Sequence, residues 1–208
     1  MQALITAPLS LAAVLLALSA ASPTFTPGIV SARGGGTGLP IHAPGGLSLL
    51  LQGIAIGIGA GLFEELGWTG FAVPRLSARR SPVAAGLEVG VLWGLWHLLA
   101  VWWGSLTAFG SAPVPLFLTV ALFSFLPPYR VLMVWVYRHT CSLFVAILMH
   151  ASMTASMLIL GPNVTGYALI TYDLAFSAFL WILVAGLFLV ANHAGRESVG
   201  MNVPSLLG

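Results

Sequence analysis

From Leu47 onward the chain alternates apolar runs of about 20 residues, the length that crosses ~30 Å of hydrocarbon, with short turns rich in Gly, Pro or Arg. The runs are 47–72, 83–103, 115–137, 142–160 and 172–192. Residues 1–21 are also apolar. Ser19-Ala20-Ala21 resembles a small-residue cleavage site, but the segment has no basic start, so we expect a retained first span rather than a signal peptide. Residues 22–46, rich in Gly, Pro, Ser and Thr and carrying Arg33 and His42, read as an exposed linker. The pattern predicts an all-α, multi-pass transmembrane helical bundle of about six spans. Arg75, Arg79 and Arg80, then Arg138, then Arg196 fall on alternate turns, whereas 104–114 and 161–171 have no Arg. The positive-inside rule then predicts that both termini are cytoplasmic, with Arg33 the one exception.

Composition makes the lipid bilayer the solvent of this chain. It is 59% hydrophobic and 6% charged, against about 25% charged in a soluble domain. The localisation expected is a cell membrane. All seven positive side chains are Arg, and a scattered net charge of +2 excludes a nucleic-acid partner. The single cysteine, Cys141, excludes an internal disulfide and a Cys-based zinc site. Gly-x-Ser-x-Gly, P-loop, Gly-x-Gly-x-x-Gly-plus-acid and His-Glu-x-x-His patterns are all missing, so serine, phosphoryl and ordinary zincin chemistry lack their signatures.

Against this background the polar residues inside apolar runs carry the information. Glu64 and Glu65 are adjacent near the end of the 47–72 run, where a single charge costs roughly 2.5 to 3.5 kcal/mol on insertion scales. His97 and His150 lie in two other runs, and Thr154 follows His150 by one helical turn on the same face. Two intramembrane histidines and a glutamate pair are explained most simply by one convergent site. A carboxylate in a low-dielectric pocket can take a proton from water, while a neutral His orients that water or donates to a developing oxyanion. The chemistry is that of a hydrolase.

Glycines repeat every four residues at 53, 57 and 61 and again at 86, 90 and 94, a spacing that lets helices approach closely in lipid. Helical phase puts Glu65 on the face of the first ladder, pointing into protein. Two antiparallel helices zipped ladder to ladder would leave Glu64 and His97 about 20 Å apart, so a shared site requires a stagger or other partners for the ladders. Glu88, on the opposite face from His97, is expected to pair with a nearby Arg or to snorkel. Arg130, beside a kink expected at Pro127-Pro128, should face protein or a polar cavity and is a candidate for a substrate carboxylate. Trp102, Trp103, Tyr167 and Tyr172 fit an outer aromatic belt. Asn163-Val164-Thr165 is assigned no role.

Glu64-Glu65 with Gly67-Trp68-x-Gly70 and Pro74-Arg75-Leu76, then Trp93-x-x-x-His97, then His150-x-x-x-Thr154, resembles the three motifs of the CPBP intramembrane proteases. That family includes the type II CAAX prenyl endopeptidases and the bacterial Abi and bacteriocin-immunity proteins. The resemblance divides the chain into 1–46 (first span and linker), 47–160 (catalytic core) and 161–208 (last span and tail). It implies that Glu64 activates the hydrolytic water, Glu65 supports it, His97 helps hold the water, and His150 contributes to the oxyanion site, where Thr154 can donate one hydrogen bond. Three departures stand out. Thr69 occupies the Arg position of Glu-Glu-x-x-x-Arg, Trp93 replaces the usual Phe, and Thr154 replaces a frequent Asn. The first leaves the charge partner of the glutamates open, since Arg75 is not helically placed beside Glu65.

The function expected is an intramembrane endopeptidase acting on a membrane-associated peptide or protein substrate. The alternatives are an inactive immunity or scaffold member of the family, or a proton-coupled transporter, which the lack of two similar halves disfavours. Zinc on Glu64, His97 and His150 is an alternative to a bare glutamate base, which we prefer because the ligands would come from three separate helices.

Overall fold

Pro127 and Pro128 shape the middle of this molecule. The computed structural model describes residues 46–104, 108–162 and 164–200, and the side chains within them except at 99–104 and 191–200. Its elements are α1 (Gly46–Gly67), a π-helical turn (Trp68–Ala72), α2 (Val73–Ser77), α3 (Pro82–Gly104), α4 (Val114–Phe123), α5 (Leu126–Thr140), α6 (Leu143–Leu160) and α7 (Tyr167–Gly200). No strand occurs among the described residues. Among the described residues four segments, Gly46–Ser77, Val114–Thr140, Leu143–Leu160 and Tyr167–Val190, are long and apolar enough to cross a membrane. The 23-residue α3 occupies the predicted 83–103 run. The expected first span at 1–21, Arg33, His42, Asn163 and the Trp102 and Trp103 side chains fall outside the description.

The single helix expected over 115–137 is instead two helices, α4 and α5. Prolines at the start of α5 lack the N–H that would continue the ladder from α4, and their rings crowd the preceding turn. The break is deeply buried rather than lipid-facing, as irregular backbone at membrane depth must be. One freed carbonyl is satisfied across the fold: Ser177 Oγ on α7 donates to Ser124 O at 2.6 Å.

The glycine ladders do not zip together. α1 packs chiefly along α6, and α3 chiefly along α5. A Cβ on Gly57 would sit 2.5 Å from Ala151 O, and one on Gly90 would sit 2.5 Å from Pro127 Cα, so backbones touch at these positions. Gly59 and Gly67, off the ladders, have open space instead. Each ladder therefore reports a specific interface, not a general abundance of glycine. Tyr172 departs from the expected belt, being half-buried against the main core with Phe176 and Leu180, while Tyr167 is exposed. Glu88 pairs with Arg80 at 2.9 Å, as expected.

Candidate active site

The phase of the first ladder carries through to Glu65, which follows Gly61 by four residues and is fully buried against α6. There it meets donors from three elements. Oε2 accepts from Thr69 Oγ1 in the π-helical turn and from Arg130 Nη1 of α5 at 2.8 Å. Oε1 accepts from the same Nη1 at 2.9 Å and from His150 Nδ1 of α6 at 2.7 Å. A carboxylate offers about four lone-pair positions, and all are taken. Because Nδ1 of His150 faces a carboxylate oxygen it carries the proton, which leaves Nε2 for other work.

Glu64, one residue earlier, is only half-buried and receives one hydrogen bond, from Trp93 Nε1 of α3 to Oε2 at 2.7 Å. Its Oε1 has no protein donor among the described residues. The His97 ring is fixed by Nδ1 donating to the Trp93 carbonyl one turn back, at 2.8 Å, so its Nε2 is also uncommitted.

Trp93 joins the two halves. It is almost completely buried, and its indole makes edge contacts with both histidines, ring centroids lying 5.2 Å from His97 and 5.0 Å from His150. The Arg130 guanidinium lies over the same indole at 4.2 Å, a cation–π contact in a desolvated setting. Tyr129 adds a tie between α5 and α6, donating from its hydroxyl to Met149 O at 2.7 Å.

Glu64, Glu65, His97 and His150 are thus brought into one connected cluster, and Thr69 belongs to it. Thr154, half-buried one turn beyond His150, takes part in none of these hydrogen bonds. Arg75 is held elsewhere, by Phe71 O at 3.0 Å and over the Phe71 ring. It helps line a cavity of about 800 Å³ with Arg79, Arg80 and Glu88, which shares no lining residue with the cluster. Arg130 faces protein, as expected, but its partner is Glu65. Reading the sequence missed that pairing and missed the indole bond to Glu64. The available signal was that a lone Arg in an apolar run must find an acid. Asp173, the one acid of the 172–192 run, was also passed over; it is buried on α7, one turn from Ser177.

Zinc fits these residues poorly. Among the described residues no three of His, Cys, Asp and Glu are grouped to hold a metal ion, so the conditional set of Glu64, His97 and His150 does not assemble. Glu65 has no lone pair left, and the Arg130 cation beside it opposes a second positive charge. No step proposed below runs through a metal.

CAAX prenyl protease 2 of Methanococcus maripaludis is 47% identical over 38 residues, which are 18% of this chain and 14% of that protein. The match therefore spans only a small part of that relative's length. No solved structure matches the chain. The model of the Rce1-like type II CAAX prenyl endopeptidases matches residues 46–156, the stretch that carries Glu64, Glu65, Trp93, His97, Arg130 and His150. With more than half of its length matched, the chain belongs to the Rce1-like family of type II CAAX prenyl endopeptidases.

Proposed function

We propose that this protein is an intramembrane endopeptidase in which Glu64 is the base that activates water, within a catalytic core spanning 47–160. The observation that carries the reading is the inequality of the two carboxylates. Glu65 is saturated by Thr69, Arg130 and His150, whereas Glu64 is half-buried with one oxygen uncommitted. A base must have a lone pair free for the water it deprotonates, and of the two carboxylates only Glu64 has one uncommitted among the described residues.

In the proposed reaction Glu64 Oε1 takes a proton from a water whose remaining hydrogen is held by His97 Nε2. The hydroxide adds to the scissile carbonyl carbon. His150, its ring set by the Nδ1–H on Glu65, lines the oxyanion site, where the Thr154 hydroxyl one turn away donates to the resulting oxyanion. The tetrahedral intermediate then collapses: the C–N bond breaks, and the proton held by Glu64 passes to the leaving amine. Glu65 touches no reacting atom and orients His150. The substrate is a membrane-associated peptide or protein, entering from lipid or from the cytoplasmic side, where both termini would also lie. A cell membrane spanned by α3 and by an N-terminal helix, besides the four segments described, completes the proposed arrangement.

The test is cleavage of a panel of membrane-tethered peptides, prenylated and unprenylated, by detergent-purified protein. Wild type should cut at least one of them and Glu64→Gln none. A folded wild type that cuts nothing across the panel, or a Glu64→Gln variant with full activity, overturns the proposal.

A further inference from the structure

Thr69 and Arg130 meet on the same oxygen. Thr69 Oγ1 and Arg130 Nη1 both donate to Oε2 of Glu65, one from the next turn of the same segment and one from α5, 65 residues away in sequence from Glu65. Residue 69 is where the Glu-Glu-x-x-x-Arg pattern carries its arginine. An Arg at 69, at i+4 from Glu65, would reach the carboxylate that Arg130 now occupies. Thr69 and Arg130 are both almost fully buried, and two guanidiniums beside one carboxylate would leave a buried charge uncompensated. One site thus admits one guanidinium.

We propose that Arg130 is the positioning residue of this site: from α5 it supplies the guanidinium that the pattern carries at 69, and through Glu65 it fixes the ring of His150. Three features beyond the ion pair support it. Nη1 makes a bifurcated contact with Glu65, 2.9 Å from Oε1 and 2.8 Å from Oε2, which holds the carboxylate with Oε1 facing His150 Nδ1. The guanidinium plane rests on Trp93, whose indole N–H holds Glu64, so the same cation braces both glutamates. The Pro127-Pro128 break begins α5 at Leu126 and so puts Arg130 in its first turns, where Gly90 and Gly86 let α3 press against Pro127 and Val131 on either side.

The role is one of position, so the experiment reads the ring of His150 as well as turnover. It builds on the endopeptidase reading, but its spectroscopic arm does not require cleavage. Protein labelled with ¹⁵N-histidine in micelles gives ring-nitrogen signals, with His150 assigned by its loss in His150→Gln. We expect wild type to show a hydrogen-bonded Nδ1–H for His150. Arg130→Ala should lose it and drop kcat about 100-fold, with KM within about threefold, as when a group supporting a catalytic side chain is removed. The double variant Thr69→Arg/Arg130→Ala returns a guanidinium to Glu65 in the space vacated. It should restore the Nδ1–H signal and at least about tenfold of the lost kcat. An unchanged His150 signal in Arg130→Ala overturns the proposal, and so does a folded double variant that resembles Arg130→Ala. If neither alanine variant folds, Arg130→Lys decides. Lysine keeps a charge but not the fork or the stacking, so the His150 signal should move, and a wild-type spectrum and kcat would overturn the proposal. A wild type that cleaves nothing counts against the endopeptidase reading, and the spectra still decide the role of Arg130.

Discussion

The two halves of the cluster, built on adjacent residues, solve opposite problems. On the Glu65 side every lone pair is matched and every participant is buried: Thr69, Arg130 and His150 close around one carboxylate with nothing left over but ring and guanidinium nitrogens. On the Glu64 side one indole N–H is the only donor among the described residues, the carboxylate is half-buried, and Nε2 of His97 has no partner among them. A buried charge must be satisfied if the fold is to survive it, whereas a reactive group must remain unsatisfied toward its substrate. In the proposed reaction neighbouring glutamates, about 100° apart around one helix, divide those demands between them.

That division predicts a graded series. Removing Glu65 should do the most damage, because Glu65→Ala strands the fully buried Arg130 without its carboxylate. Breaking a buried pair in this way costs about 3–5 kcal/mol, so thermal unfolding in micelles should shift far down and cleavage should vanish with it. A variant as stable as wild type would break the comparison. Next comes Glu64→Gln, which keeps an acceptor for the Trp93 N–H. Turnover should fall about 10³-fold, the range of a lost general base, while the unfolding midpoint stays at the wild-type value. Parallel losses of stability and activity would erase the distinction between the two residues. Trp93→Phe is a finer probe. It retains an aromatic face for His97, His150 and Arg130 but removes the donor to Glu64, so kcat should drop about tenfold, the worth of one hydrogen bond to a charged group. The smallest effect expected is none: stripping with a chelator should leave turnover unchanged. Loss of activity that returns stoichiometrically with added zinc would overturn the bare-glutamate mechanism.

Much of this was legible in the sequence, and the missing part has a physical explanation. The four-residue glycine spacing correctly foretold that Glu65 points into protein, since Gly53, Gly57, Gly61 and Glu65 share one helical face. It could not say which helix lies opposite, because small residues permit close approach without naming the partner; α6 and α5 are the answers. Pro127-Pro128 announced a kink, but whether prolines bend a helix or divide it depends on what satisfies the freed carbonyls, and Ser177 comes from another helix. Arg130 was recognisable as an anomaly in an apolar run. Its pairing with Glu65 spans 65 residues and leaves no local trace, and the missing arginine at 69 drew attention to nearby Arg75 instead. Trp93 stood out only as a departure from the motif's usual Phe, and its indole bond to Glu64, 29 residues away, leaves no local trace.

The glycine ladder on α1 also acts as a ruler. Glu64 and Glu65 ride on α1 and His150 rides on α6, so the separation of these two backbones sets the 2.7 Å contact between Glu65 and His150. A Cβ on Gly61 would lie 2.7 Å from Ile147 O, and one on Gly57 would lie 2.5 Å from Ala151 O; neither carbonyl belongs to a side chain that can swing aside. Even alanine, the smallest step away from glycine, would have to pry the helices apart. The spacing of the polar cluster is therefore written in residues that never touch it, one and two turns below, and variation there would detune the proposed active site while every polar residue of its centre stayed intact.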